Sequence, residues 1–266
     1  MATNGKESKM KVTAPKLIRW AGLSAMVAGI FYVVVGMFHQ PNILSAVTTT
    51  QWAIVHSLAS AMCVLFLLGI TGLYARQVEA AGWLGLAGFL LFSLNWVLTA
   101  PFTVAEVFIL PVLATEAPTL AEGFLGIFPS SFDATNFGVL GALWDVTGVL
   151  YIVGGLLFGI ATFRAGILPR WAAGLLAVGS ALGPVAVLLP PEHQAKVAVP
   201  VGLALAWLGY ALWSERREQA AERSRQVSPQ LRPTGAEKAR WRLHGVDKRP
   251  HGGELVAVFQ RRRGGG

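Results

Sequence analysis

The sequence predicts an all-α fold, a polytopic bundle of six transmembrane helices with both termini on the cytoplasmic side. Three observations carry that expectation. Of 266 residues, 54% are hydrophobic and only 14% are charged, with a mean hydropathy of +0.54; a soluble domain carries about 25% charged residues. Six apolar runs, 20–38, 52–74, 81–103, 138–163, 171–189 and 197–213, are close to the roughly 20 residues a helix needs to cross a bilayer. Finally, Lys and Arg fall in alternate loops. Composition also excludes a disulfide scaffold, because Cys63 is the single cysteine.

The charge divides the chain. Residues 1–214 hold 9 Lys and Arg against 8 Asp and Glu, whereas 215–266 hold 13 against 6. The basic character therefore belongs to a tail, which reads as a solvated cytoplasmic segment with no nucleic-acid partner. Three regions follow: a cytoplasmic segment over 1–16, a membrane domain over 17–214, and a tail over 215–266. In the tail "SERREQAAERSRQ" extends the last helix by two or three turns before a largely disordered, Pro- and Gly-rich end.

Each span has its own signature. Lys6, Lys9, Lys11, Lys16 and Arg19 precede the first, whose run of 19 residues exceeds a signal-peptide core and reads as uncleaved. Gly22, Gly29 and Gly36 mark its packing stripe, since small residues let helices approach closely in lipid. The second span carries His56, Ser60 and Cys63 on one stripe and leads to Arg76. The third carries Gly88, Asn95, Thr99 and Glu106 at spacings of seven, four and seven. Beyond it "PFTVAEVFILPVLA" reads as a kinked extension or a short interfacial helix.

The fourth span has Gly141, Gly148, Gly155 and Gly159, with Asp145 on the same stripe. Arg164, Arg170 and Trp171 anchor the turn into the fifth, which carries Gly179 and Gly183. "PPEHQAK" makes a tight turn into the sixth, marked by Gly202, Ala206 and Gly209. The glycine faces are as compatible with a homo-oligomer as with packing inside one chain. Residues 39–51 and 104–137 contain no Lys or Arg, so the positive-inside rule places them outside the cell membrane.

Ionisable side chains at membrane depth are costly and normally face the bundle interior. Counting helical rise from the outer ends brings His56, Ser60, Asn95 and Asp145 to similar depth, with Glu106 and His39 nearer the outer mouth. The expectation is a polar pocket open to the outside and centred on Asp145. Helix-locking hydrogen bonds are the structural alternative for Asp145. His56, Asp145, Glu106 and His39 have the right chemistry for zinc, but no HxxxH or HExxH spacing accompanies them, so neither a metal nor a cofactor is expected. No span contains lysine, which excludes a retinal Schiff base.

The openings "RWAGL", "GWLGL" and "RWAAGLL" recur, and Trp83 and Trp171 lie 88 residues apart, as do Arg76 and Arg164. Duplication of a helical hairpin and convergence at membrane boundaries both account for this. Through "LFGIATFRAGILPRWAAGLLAVGSAL", with "LLGITGLYARQ" and "FILPVLA", the chain resembles a widespread group of bacterial multi-pass inner-membrane proteins without an assigned activity. The resemblance covers roughly 17–214 and implies several spans but no catalytic motif. The function expected is that of an integral membrane protein with no assigned catalysis and an outward-facing polar pocket. A small proton- or cation-linked transporter or sensor and a membrane-embedded lipid-modifying enzyme are the alternatives.

Overall fold

The computed structural model describes residues 13–128 and 137–230, with 191 and 216–230 described as backbone. Among these residues all regular structure is helical. The order is α1 (Ala14–Phe38), α2 (Leu44–Val47), α3 (Thr50–Phe108), α4 (Leu110–Glu116), α5 (Pro118–Leu125), α6 (Val139–Ala165), α7 (Arg170–Ala181), α8 (Pro191–Gln194) and α9 (Val199–Gln230). Short 3-10 turns, Gly183–Leu188 and Ala195–Ala198, flank α8.

Four stretches are long and apolar enough to cross a membrane: Ala14–Phe38, Thr50–Phe108, Val139–Ala165 and Glu192–Glu215. The difference from six has two physical causes. α3 is 59 residues long, which would reach about 90 Å if straight. It is instead a hairpin, because Gln77 (φ −129°, ψ 15°) and Gly82 (φ 55°) leave the helical region. Only glycine adopts the Gly82 conformation at little cost.

Contacts between the arms, 50–76 and 83–108, run in antiparallel order. Tyr74 stacks on Phe89 (4.7 Å), Phe66 on Trp96 (4.0 Å), and the Trp52 indole N–H donates to the Glu106 carbonyl (2.9 Å). The second cause lies in the fifth run. α7 ends at Ala181, and Pro184, having no amide hydrogen, sits in the 3-10 turn that follows.

Glycines set the remaining neighbours. On α1, a Cβ at Gly29 would lie 2.4 Å from the Ala206 nitrogen, and one at Gly22 would lie 2.9 Å from that of Trp213. α1 and α9 thus touch backbone to backbone and run antiparallel. Gly69 meets Ala25, Gly88 meets Phe158, Gly154 meets Phe92, Gly159 meets Ala177, and Gly179 meets Val201. Six helical segments therefore alternate in direction. The glycine faces named above are largely filled inside the chain.

An inner core of Phe66, Phe92, Trp96, Phe158, Leu176 and Leu205 lies between the segments. A second cluster, with Trp52, Phe102, Leu110 and Phe124, covers one end. Here the stretch after the third run resolves into two short helices, α4 and α5. Ile30, Val64, Leu90, Val97, Val149 and Leu203 are exposed around the outside. The helical extension of the tail continues to Gln230; the expectations for its remaining residues and for 1–12 lie outside the described residues.

Candidate functional site

The segments that pack closely at one end of the bundle separate at the other. A Cβ at Gly154 would clash with Phe92, yet one at Gly148, less than two turns earlier, would meet nothing within 4 Å. The space is a cavity of about 520 Å³. Tyr32, Val35 and the 39–43 segment line it from the α1 side, His56, Ala59 and Met62 from the first arm of α3. Asn95, Trp96, Thr99, Thr103 and Glu106 come from the second arm, Trp144, Thr147, Gly148 and Tyr151 from α6. Phe128, Gln194 and Ala195 complete the wall.

Local sequence holds His56 in place. Thr49 caps the first arm, accepting the Trp52 backbone N–H at 3.2 Å and donating to the Ala46 carbonyl at 2.7 Å. One helical turn on, the His56 ring stacks on the Trp52 indole with 3.9 Å between centroids. His56 Nδ1 lies 2.9 Å from the Trp52 carbonyl oxygen. A carbonyl only accepts, so Nδ1 carries a proton and Nε2 is the variable atom.

Nε2 faces Glu106 Oε1 at 3.6 Å. That distance is too long for a direct hydrogen bond and too short for a bridging water. The two side chains are 2% and 7% exposed. Nε2 is buried without a hydrogen-bond partner among the described residues, and the Glu106 carboxyl is the group that faces it. His39, just past the end of α1, stands 5.0 Å from His56 between ring centroids. Burial holds the His39 imidazole below its ordinary value of 6.5.

The remaining candidates divide. Asn95 is buried in the same wall and accepts from the Thr99 hydroxyl at 3.4 Å. Ser60 donates along its own helix to the His56 carbonyl (3.0 Å) and does not line the cavity. Asp145 is exposed and does not line it either, so the expected centre of the pocket is corrected. At 100° per residue, Trp144 and Tyr151 mark the middle of the inward face of α6, Gly148 lies 40° round, and Asp145 lies 100° round. The glycine stripe is the edge of that face. The hairpin pairs Glu106 with Trp52, one helical turn before His56, and the Glu106 side chain reaches back toward His56 Nε2.

The anchors gather at the opposite end. Arg164, Arg170 and Trp171 are exposed at the α6–α7 turn. Arg76 has a further role: it makes a bidentate pair with Glu215, its Nε donating at 3.1 Å. Arg19 lies over the Trp213 ring (5.5 Å), and Gln77 donates to Thr162 (2.8 Å). Sequence reading also missed the aromatic group on the cavity wall, where Trp96 meets Tyr32 edge-on (5.4 Å) and Tyr151 (6.3 Å). Its signal was the clustering of Trp, Phe and Tyr on inward faces far from either membrane boundary.

Among the described residues no group of three or more His, Cys, Asp or Glu is arranged to hold a metal ion. The class that fold and site define is an all-α bundle with several apolar helices of membrane-crossing length and a polar, aromatic-walled cavity at one end. No protein-family model, curated protein or solved structure matches the chain.

Proposed function

We propose that the chain is a multi-pass cell-membrane protein whose outward-facing cavity takes a small ligand in a proton-linked manner, as a transporter or sensor does. In this reading the chain makes six spans with both termini in the cytoplasm, and the distribution of basic residues supports the orientation. Lys16, Arg19, Arg76, Arg164 and Arg170 lie at one end of the bundle, together with the exposed Trp20, Trp83 and Trp171. Basic residues and tryptophan together mark a cytoplasmic interface. The cavity lies at the other end.

One observation carries the proton linkage: Glu106 and His56 face each other at 3.6 Å, both buried, in the wall of a cavity large enough for a small molecule. Membrane-depth carboxylate and imidazole groups are the usual parts of proton pathways, and His39 extends the series toward the mouth.

The test places a cysteine at Thr99, on the cavity wall, in a Cys63→Ala background. An impermeant thiol reagent added to intact cells labels it. Thiolate formation gives labelling an intrinsic pH dependence, so the reading concerns the difference from the same cysteine in a Glu106→Gln chain. Labelling from outside, with a pH profile altered by Glu106→Gln, is the expected result. Labelling only after permeabilisation overturns the orientation; identical pH profiles overturn the proton linkage.

A further inference from the structure

We infer that the cavity's ligand is an organic ammonium ion, a quaternary ammonium or a protonated amine, bound in exchange for a proton carried by the Glu106–His56 pair. This rests on the proton-linked reading above and supplies its ligand class. Charge gives the first argument. Among the described residues, Glu106 is the one carboxylate on the cavity wall, and no Lys or Arg lines it. When its proton leaves, the described wall carries a buried negative charge with no Lys or Arg beside it, and a cation restores neutrality.

The aromatic wall gives the second. Tyr32, Trp96, Phe128, Trp144 and Tyr151 line the same space. Ring faces attract a weakly hydrated organic cation, and such cages serve quaternary ammonium recognition. A bare metal ion is disfavoured by the same wall, because hard cations take six or more oxygen ligands. Among the described residues Glu106 is the single carboxylate donor here, and no metal-holding group exists. The volume of about 520 Å³ is that of a small-molecule pocket.

A third argument is independent of charge. The Trp96 indole nitrogen is buried without a hydrogen-bond partner, as is Asn42 Oδ1, and both residues lie on the cavity wall. Buried polar atoms normally have partners. A ligand bearing an oxygen acceptor beside its ammonium group supplies one to the indole.

The exchange balances. One cation enters as one proton leaves, and the charge of the occupied cavity is unchanged. The other titratable groups around Glu106 are His39 before α2, His56 and Cys63 on the first arm, Tyr32 on α1 and Tyr151 on α6. His193 and Lys196 pair with each other on an exposed turn (2.8 Å).

The test uses the full chain in detergent micelles. Tetramethylammonium, choline and butylammonium are titrated at equal ionic strength at pH 8 and pH 5, with binding read by calorimetry. The control, 3,3-dimethylbutan-1-ol, has the shape of choline without its charge. Binding of at least one cation at pH 8, weakened tenfold or more at pH 5, with release of nearly one proton per cation in weak buffer, is expected. Glu106→Gln abolishes the response, and Glu106→Asp restores part of it; the unliganded melting curve of each variant shows that it is folded.

Three results overturn the inference: no binding of any of the three cations, binding of the alcohol as tight as that of choline, or cation binding retained in folded Glu106→Gln. The Thr99 cysteine experiment is read without ligand. Altered labelling profiles there, with no cation binding here, would leave the proton-linked pocket standing and remove only the ammonium ligand.

Discussion

Replacing Glu106 separates a hydrogen-bonding role from a charge role at the buried pair. Glu106→Gln keeps the shape and supplies an amide N–H that donates to the Nε2 lone pair of a neutral His56. Glu106→Leu supplies no donor and removes the polar group that faces the buried Nε2 at 3.6 Å, which costs about 1–3 kcal/mol. If the pair were a fixed ion pair, the 3.6 Å separation would correspond to a gross attraction of roughly 5 kcal/mol at an effective dielectric of 20. Either replacement would then strand a buried charge, at about 3–5 kcal/mol. A pair that is neutral overall therefore predicts that Gln loses less than about 1 kcal/mol and Leu two to three times more. Denaturant unfolding in mixed micelles at pH 7, followed by helical circular dichroism, measures both. Equal losses for Gln and Leu, each above about 3 kcal/mol, would refute the reasoning and establish a permanent ion pair.

Three further outcomes follow from the packing and the charges. Gly29→Val places side-chain atoms against the Ala206 backbone, 2.4 Å from the first added carbon; a loss of about 1–3 kcal/mol is expected, and an unchanged melting temperature would show that α1 and α9 do not pack this closely. Arg76→Ala removes the pair with Glu215, whose side chains are 23% and 30% exposed. Solvent screens such a pair, so the loss should stay below about 1 kcal/mol, and a larger one would assign the bundle end a greater structural role. Burial lowers the His39 value from 6.5, so between its depressed and ordinary values the unfolded chain binds the proton more readily. The His39 contribution is complete above pH 6.5 and is lost as pH falls below it. His39→Gln should remove that part of the acid sensitivity in a melting-temperature series from pH 7 to 4.

Much of the helical layout is legible along the chain, because hydropathy and glycine spacing are local properties. The α1 stripe of Gly22 and Gly29 meets α9 as a packing stripe should, whereas hydropathy carries the fifth run to 189 through Pro184, where α7 has already ended at Ala181. What periodicity does not supply is the pairing of distant faces. His56 and Glu106 are 50 positions apart, and their meeting follows from a hairpin whose register is set by Phe66 against Trp96 and Tyr74 against Phe89. Reflecting His56 through the turn at 77–82 lands within one helical turn of Glu106. That operation was available from the sequence. Depth counted from the membrane boundaries ranks Glu106 above His56 but does not show that the two side chains meet.

The same distinction explains Asp145. A glycine stripe shows where a backbone approach is sterically allowed, and whether a partner helix uses it depends on the whole bundle. On α6 the partners use Gly154, Gly155 and Gly159, drawing the helix onto the second arm of α3 and onto α7. Gly148 continues the pattern in sequence, but nothing approaches it. The close packing below and the bulky Trp144 and Tyr151 above hold the segments apart at the far end. The cavity thus exists because the small-residue contact stops, and the aromatic residues that replace it form the wall. Glu106 belongs to that space by coming from the hairpin across the gap. Asp145, on the outer side of the helix that bounds it, does not.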